Sequence, residues 1–486
     1  MESALKISEY AGLDATALAA LIFEGRVRAD EVEEAARTAV AEVNDDLNAL
    51  TLPLFEPALG SEPTGVFAGV PFVIKDSAPF ARGVPFGLGS RSVHGAVAAA
   101  DHPMMTRFRA AGLVTIGQTT APEYSLSFAT ESLRHGVTRN PWALDRGVGG
   151  SSGGAAALVA AGAVPVAHGN DGAGSLRIPA SACGLVGLKP SRGRTPGVPR
   201  DTRFARPLGV EFVLTRTVRD AAGMLDALGD PWRSGPRDPS DPHRVRTHRE
   251  LLHSDPGTLR VALATAAFSG AAFSGAAIDP RVAAAAAETA HTLEWIGHHV
   301  TTASPEIDTE AVLDALVLEA MAAGSAVLAA PKRPDATELE AVSRRLLSEA
   351  AGFSAAQARA SAASQDSVTR GIERFFEGFD LLVTPTLGAL PARHGKLDYD
   401  DPYFDTPQSS MRDWMRRITD YGPFTAPFNV SGNPAISLPL GESAEGLPIG
   451  VQLVAAVGGE ALLLGVAAQL EQAMPWKDRL PSIWAG

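Results

Sequence analysis

The sequence predicts an α/β fold: a single large domain with a mostly parallel, mixed central sheet covered by helices on both faces. Three observations point there. Short apolar, β-branched runs alternate with stretches of helical periodicity from the N-terminus to about residue 228. Strand-like runs return late, at "DLLVTPT" (380–386) and "PAISLPLG" (434–441), and need partners in the same sheet. No solenoid-like repeat divides the 486 residues, and 45% hydrophobic against 20% charged residues supports a sizeable packed core.

The elements follow in order. Val32, Ala36, Val40 and Val43 recur at helical spacing, with Asp30 as the expected N-cap. "GVFAGVPFVIKDS" (65–77) is apolar and bounded by Gly and Pro, a buried strand ending near Lys75. Residues 101–112 read as a helix and "GLVTIGQT" as the next buried strand. Prolines and charges make 229–246 a surface loop. "AAFSGAAFSG" (266–275) is a tandem repeat, read as a duplication in a flexible loop, with a lid over the site as the alternative. Asp279 caps and Pro280 opens a helix carrying Val282, Ala286, Leu293 and Ile296, stopped at Gly297. Residues 305–375 are helical and alanine-rich, and "EALLLGVAAQLEQA" (460–473) closes the chain with a helix.

Composition excludes several function classes. A net charge of −13, with no block of lysines and arginines, argues against a nucleic-acid partner. Cys183 is the only cysteine, so there is neither an intramolecular disulfide nor a thiolate zinc site. The apolar run Ala155–Ala167 contains Gly162 and Pro165 and falls short of the roughly 20 residues of a membrane helix. The first residues lack the layout of a signal peptide. A soluble cytoplasmic protein is expected.

The chemistry concentrates in glycine-rich segments. In "GNDGAGSLR" (169–177) a loop of small residues precedes Ser175. Such a backbone can turn successive N–H groups inward around an anion. A hydroxyl at its end would be a nucleophile beside its own oxyanion hole, formed by Gly172, Ala173, Gly174 and Ser175. A plain tight turn reads equally well from this stretch alone. "GVGGSSGGAAALVAAG" (147–162) places Ser151 and Ser152 between glycine pairs before a helix. Lys75 ends its apolar strand, where burial would lower its pKa and make it usable as a base. Taken alone, it reads more readily as a salt-bridged surface lysine.

Together these segments resemble the amidase signature family. The likeness rests on "GVPFVIKD" (69–76), "TRNPW" (138–142), "GGSSGG" (149–154), "RIPASACGLVGLKP" (177–190), "PFNVSGNPAISLP" (427–439) and "GLPIGVQLV" (446–454). Ser151 and Ser175 stand 24 positions apart, the family's spacing between its two catalytic serines. The resemblance covers most of the chain and is weakest at about 230–375. It implies a Ser–Ser–Lys triad in which Ser175 attacks the amide carbonyl and Ser151, behind a cis Gly150–Ser151 peptide, relays its proton to a neutral Lys75. It also implies an acyl-enzyme hydrolysed by water. Asp171 and Arg177 are expected to pair and brace the loop. Ser152 serves either within the site or as a helix cap, and Cys183 is packing.

The chain departs from the family at Ala173, where relatives carry glycine, and at His168 and Asn170. The "HGND" form resembles the aminohexanoate cyclic-dimer hydrolase branch. Arg177–Ile178 replaces the arginine–glutamine of the glutamyl-tRNA amidotransferase A subunit, which disfavours a glutaminase or scaffold subunit of such a complex. Two other readings remain in view: an α/β-hydrolase elbow with Ser151 as nucleophile in G-x-S-x-G, and a Ser175–His168–Asp171 triad, disfavoured because its members crowd one loop.

The expected division is N-terminal helices over 1–60, a catalytic core over 61–228 and a surface loop over 229–258. A variable helical substrate region over 259–380 and a return to the core over 381–486 complete it. Pocket walls are expected from 305–375, the repeat and Tyr124–Phe128. The family implies a small-molecule amide substrate and no cofactor or metal. Neither nucleic acid nor membrane is expected as a partner, and a homodimer is the base-rate expectation.

Overall fold

The computed structural model describes residues 5–77, 80–197, 206–229, 237–238, 241–268, 276–330 and 332–486. Ten strands form one sheet: β1 (Pro71–Lys75), β2 (Val114–Thr119), β3 (Val166–Asp171), β4 (Val186–Lys189), β5 (Val210–Thr215), β6 (Arg260–Leu263), β7 (His299–Thr302), β8 (Leu381–Pro385), β9 (Ala435–Glu442) and β10 (Pro448–Val454). Their spatial order is β7-β6-β8-β10-β9-β4-β5-β3-β1-β2. The flanks are parallel, β1 pairing with β2 and β3, and β6 with β7 and β8. Between them, pairing from β3 through β5, β4, β9 and β10 to β8 is antiparallel. The sheet is thus mixed, as expected, but its parallel character is confined to the flanks. A strand buried on both faces is an apolar run in either direction, so the sequence does not announce the antiparallel centre.

Alternation along the strands divides the core into two layers. Val261, Leu381, Val383 and Ile436 pack into one cluster with Val40, Leu158, Leu225, Leu293 and Leu464 from the surrounding helices. Their strand neighbours Ala262, Leu382 and Ala435 pack into the other, with Val312, Leu346, Val368, Trp414 and Phe428. The alanine-rich middle of the chain therefore covers one face. The helices Ala29–Leu47, Gly153–Ala160, Val218–Leu228, Pro280–Trp295 and Glu460–Ala473 cover the other.

Several local expectations need adjustment. The first long helix runs Ala29–Leu47 and its N-cap is Arg28; Asp30 lies inside the first turn, bonded to the Arg28 guanidinium. A carboxylate there is favoured by the helix's positive end whether or not it caps. Within the expected loop 229–246, Arg237–Asp238 pairs antiparallel with Asp241–Val245. Strands β6 and β7 carry little signal, being four residues each, with β7 largely exposed at the sheet edge. The helix Pro280–Trp295 is capped by the Asp279 carboxylate, as expected. In the first copy of the tandem repeat, Phe268 is buried against Phe424 and Phe428; residues 269–275, and with them the lid question, lie outside the described residues.

The helix Thr309–Leu328 is, by length and composition, apolar enough to cross a bilayer. Glu310, Asp314 and Glu319 interrupt its apolar run in the sequence. It packs against Ala341–Ala350 and Ala355–Gly378, and Arg412 pairs with Glu310 and Asp314. One side of this helix is therefore core.

Candidate active site

Strands β1 and β3 are adjacent and parallel, so their C-terminal ends open on the same edge, where open α/β sheets commonly bind ligands. Lys75 is the last residue of β1. Every position of that strand is buried, and Lys75 is 1% exposed. Burial brings its pKa down to about 7, partly offset by the negative charges of Glu211, Asp171 and Asp76. Its Nζ lies 2.7 Å from Ser151 Oγ and 2.6 Å from Asn170 Oδ1. The surface-lysine alternative is therefore excluded.

Ser151 follows a cis Gly150–Ser151 peptide and is itself buried. A Cβ on Gly149 would lie 3.0 Å from Pro179 Cα, so this loop rests directly on the helix Arg177–Cys183 that follows Ser175. Ser152 occupies the N-cap position of the helix Gly153–Ala160 but makes no capping bond. Its hydroxyl instead meets the N–H and the carbonyl of Asn170, each at 3.3 Å. The capping bond is thus absent, and the hydroxyl is spent on the Asn170 backbone.

Beyond β3 the chain forms the loop 172–176. Gly174 has φ 146°, and a Cβ there would lie 2.5 Å from Thr425 Oγ1, so glycine is required on both counts. Thr425 Oγ1 donates to the Ala173 carbonyl at 2.6 Å, and the Ile178 N–H to the Gly174 carbonyl at 2.7 Å. With those carbonyls held, the N–H groups of Gly172, Ala173, Gly174 and Ser175 meet no protein acceptor among the described residues. Ser175 is 6% exposed at the end of this loop.

Asp171 and Arg177 form the expected brace, both with fully buried side chains. The guanidinium uses all five N–H donors. Nε and Nη2 reach Asp171 at 2.9 and 2.8 Å, Nη1 reaches the Thr425 carbonyl and Gln452 Oε1 at 2.8 Å each, and Nη2 also reaches Asn429 Oδ1 at 2.6 Å. Burial would raise the Asp171 carboxyl, but the Arg177 charge overrides it and holds the pKa at about 2. Arg177→Met should cost about 3–5 kcal/mol, because it strands a buried carboxylate. Urea unfolding of the purified variant checks this; a loss below about 1 kcal/mol would refute the brace. Acid works on the same pair: its contribution is complete above the unfolded carboxyl pKa of about 3.9 and is lost as pH falls through about 2.

The alternative constellations do not assemble. His168 is fully buried, with Nε2 2.8 Å from Glu211 and Nδ1 facing the Lys75 N–H, so its ring nitrogens are both turned to groups other than Ser175. Ser151 faces a lysine, not the histidine a G-x-S-x-G elbow requires. Cys183 is buried beside the Val148 carbonyl, and burial pushes its thiol pKa up, as packing would have it. A second buried lysine, Lys189, also has its pKa lowered to about 7 by burial, yet its Nζ reaches the Pro190 carbonyl at 3.0 Å. Near the expected pocket wall, Tyr124 and Ser125 have positive φ, and Phe128 packs with Ile178.

Four residues of this network were given no role in the sequence reading: Asn170, noted there only as a departure from the family, Thr425, Asn429 and Gln452. Asn429 and Gln452 do carry a signal, since each is a polar residue inside an otherwise apolar segment, "PFNV" and "GVQLV". Thr425 carries none.

The amidase family model matches residues 24–464. The 6-aminohexanoate-cyclic-dimer hydrolase of Paenarthrobacter ureafaciens is 40% identical over 97% of this chain and 96% of its own length. The enzyme of the same name from Pseudomonas sp. (strain NK87) is 39% identical over the same shares. A solved structure of a 6-aminohexanoate cyclic dimer hydrolase complexed with substrate superposes with a TM-score of 0.83 at 36% identity, covering 97% of this chain and 99% of that one.

Proposed function

The chain belongs to the amidase family and hydrolyses carboxylic amide bonds, and we propose that it does so through a covalent acyl-enzyme with Ser175 as nucleophile, Ser151 as proton relay and Lys75 as base. The observation that carries this reading is the desolvated Lys75 amine 2.7 Å from Ser151 Oγ. A neutral amine accepts the Ser151 proton while Ser151 takes the proton of Ser175, and Ser175 Oγ bonds to the carbonyl carbon. The developing oxyanion meets the N–H groups of Gly172, Ala173, Gly174 and Ser175, which are fixed before the substrate arrives. The ammonium of Lys75 returns its proton through Ser151 to the leaving amine as the C–N bond breaks. Water then attacks the acyl carbon, its proton passing along the same path to Lys75; the bond to Ser175 Oγ breaks, that oxygen takes the proton back through Ser151, and the carboxylic acid departs. Asp171, Arg177 and Ser152 hold the loops and touch no reacting atom.

The substrate proposed is a small aliphatic amide, cyclic or linear, of a linear amino-acid type. The names of the relatives at about 40% identity support this choice. A panel of cyclic and linear 6-aminohexanoate amides, simple aliphatic amides, anilides and peptide amides, read by ammonia or amine release, tests it. Turnover of the aliphatic members is expected; turnover of anilides alone would overturn it. The net charge of −13 supports the absence of a nucleic-acid partner. A homodimer in the cytoplasm completes the proposal, and light scattering reads the oligomeric state.

A further inference from the structure

The described mechanism needs one free electron pair on Lys75, pointed at Ser151. An uncharged amine has two N–H donors and a single lone pair, and a four-carbon stem lets it rotate. Something must choose which of the three faces Ser151. Asn170 is placed to choose. Its Oδ1 lies 2.6 Å from Lys75 Nζ, and its Nδ2 lies 3.0 Å from Ser77 Oγ, two residues beyond Lys75. A carboxamide oxygen accepts and never donates, so it takes an N–H of the amine and leaves the lone pair for Ser151. In the reverse orientation the amide NH2 would compete with Ser151 for that same lone pair. The Asn170 backbone is held as well, by the Ser152 hydroxyl on its N–H and carbonyl and by pairing with Glu211 in the sheet.

We propose that Asn170 is a positioning residue for the reaction: its side-chain oxygen orients the Lys75 amine so that the lone pair faces Ser151, while its amide NH2 is directed to Ser77 Oγ. The inference rests on Lys75 being the base. It gives Ser152 a second purpose, because the same hydroxyl that braces the Ser151 loop fixes the residue that aims Lys75.

Asn170→Asp is the discriminating variant. It keeps the shape and the acceptor but sets a full negative charge against the amine, and an opposite charge at this range stabilises the ammonium by about 1–3 pH units. The other ionisable groups facing Lys75 are unchanged: Glu211 on β5, His168 on β3, Asp171 paired with Arg177, and Asp76 beside Lys75 itself. The readout is the rate at which a fluorophosphonate labels Ser175, followed against pH in the wild-type protein, Asn170→Asp and Asn170→Ala. We expect the acid limb of Asn170→Asp to move up by about 1 pH unit or more, with labelling recovering on its alkaline side. Asn170→Ala should label roughly 10-fold or more slowly at every pH, as for a weakened general base. A limb that stays in place in folded Asn170→Asp overturns the proposal. If Asn170→Asp does not fold, Asn170→Ala decides, and wild-type labelling there refutes the role. Wild-type labelling at Ser151 instead of Ser175 would bring down the triad reading first and this proposal with it. Labelling at Ser175 with an unmoved limb brings down this proposal alone.

Discussion

Ser175→Ala should abolish amide hydrolysis, lowering kcat by about 10^4-fold or more while the protein stays folded. The magnitude follows from the kind of step removed. Without the hydroxyl no acyl-enzyme can form, and the remaining machinery could only assist direct attack by water. The oxyanion loop would survive, so residual activity above the uncatalysed rate is expected and does not contradict the assignment. Removing one oxygen from a side chain already 6% exposed leaves packing almost untouched, so melting should be nearly unchanged. Intact-mass measurement after fluorophosphonate treatment, with peptide mapping, reads the same claim from the other side. One adduct on Ser175 is expected in the wild-type protein, and none in the variant. An adduct on Ser151 would reverse the roles of the two serines.

The second large effect is at Lys75. Lys75→Met keeps the length and apolar stem of the side chain and removes the base, so kcat/KM should fall about 10^2–10^4-fold. The wild-type pH profile carries the finer test. The base works only when neutral, and burial has brought its pKa to about 7. Activity should therefore rise with pH through about 7 and level off above it, and that limb should vanish from the residual activity of Lys75→Met. Stability is linked to the same group. A lysine depressed from about 10.4 in the unfolded chain to about 7 in the fold leaves the unfolded state holding more protons between those values. Its contribution to stability rises with pH across that window and is least favourable below about 7. A profile flat between pH 6 and 8 would remove Lys75 from the base position.

Much of the site was legible because its signals are local. A lysine at the end of an all-apolar strand, glycine pairs around Ser151 and a glycine loop before Ser175 are each read within a dozen residues. The Asp171–Arg177 pair was legible for the same reason, six residues apart at a strand end and a helix start. The strand β7 and the Arg28 cap were not. An exposed edge strand of four residues needs no apolar run, and a capping position is set by where the chain turns, more than by which acidic residue is nearest.

The sequence by itself determined the chemical inventory: α/β layering, Lys75, two serines 24 residues apart, and backbone loops free of side chains. Only the tertiary structure decided what each group faces. Asn170 turns to Lys75 across 95 positions of chain, while Asn429 and Gln452 reach Arg177 across 252 and 275. Those meetings depend on strand order and on the antiparallel centre that carries β9 and β10 back between the flanks. Hydrophobic periodicity records which face of an element is buried, not which neighbour buries it. A polar partner several strands away becomes visible only when the sheet has closed.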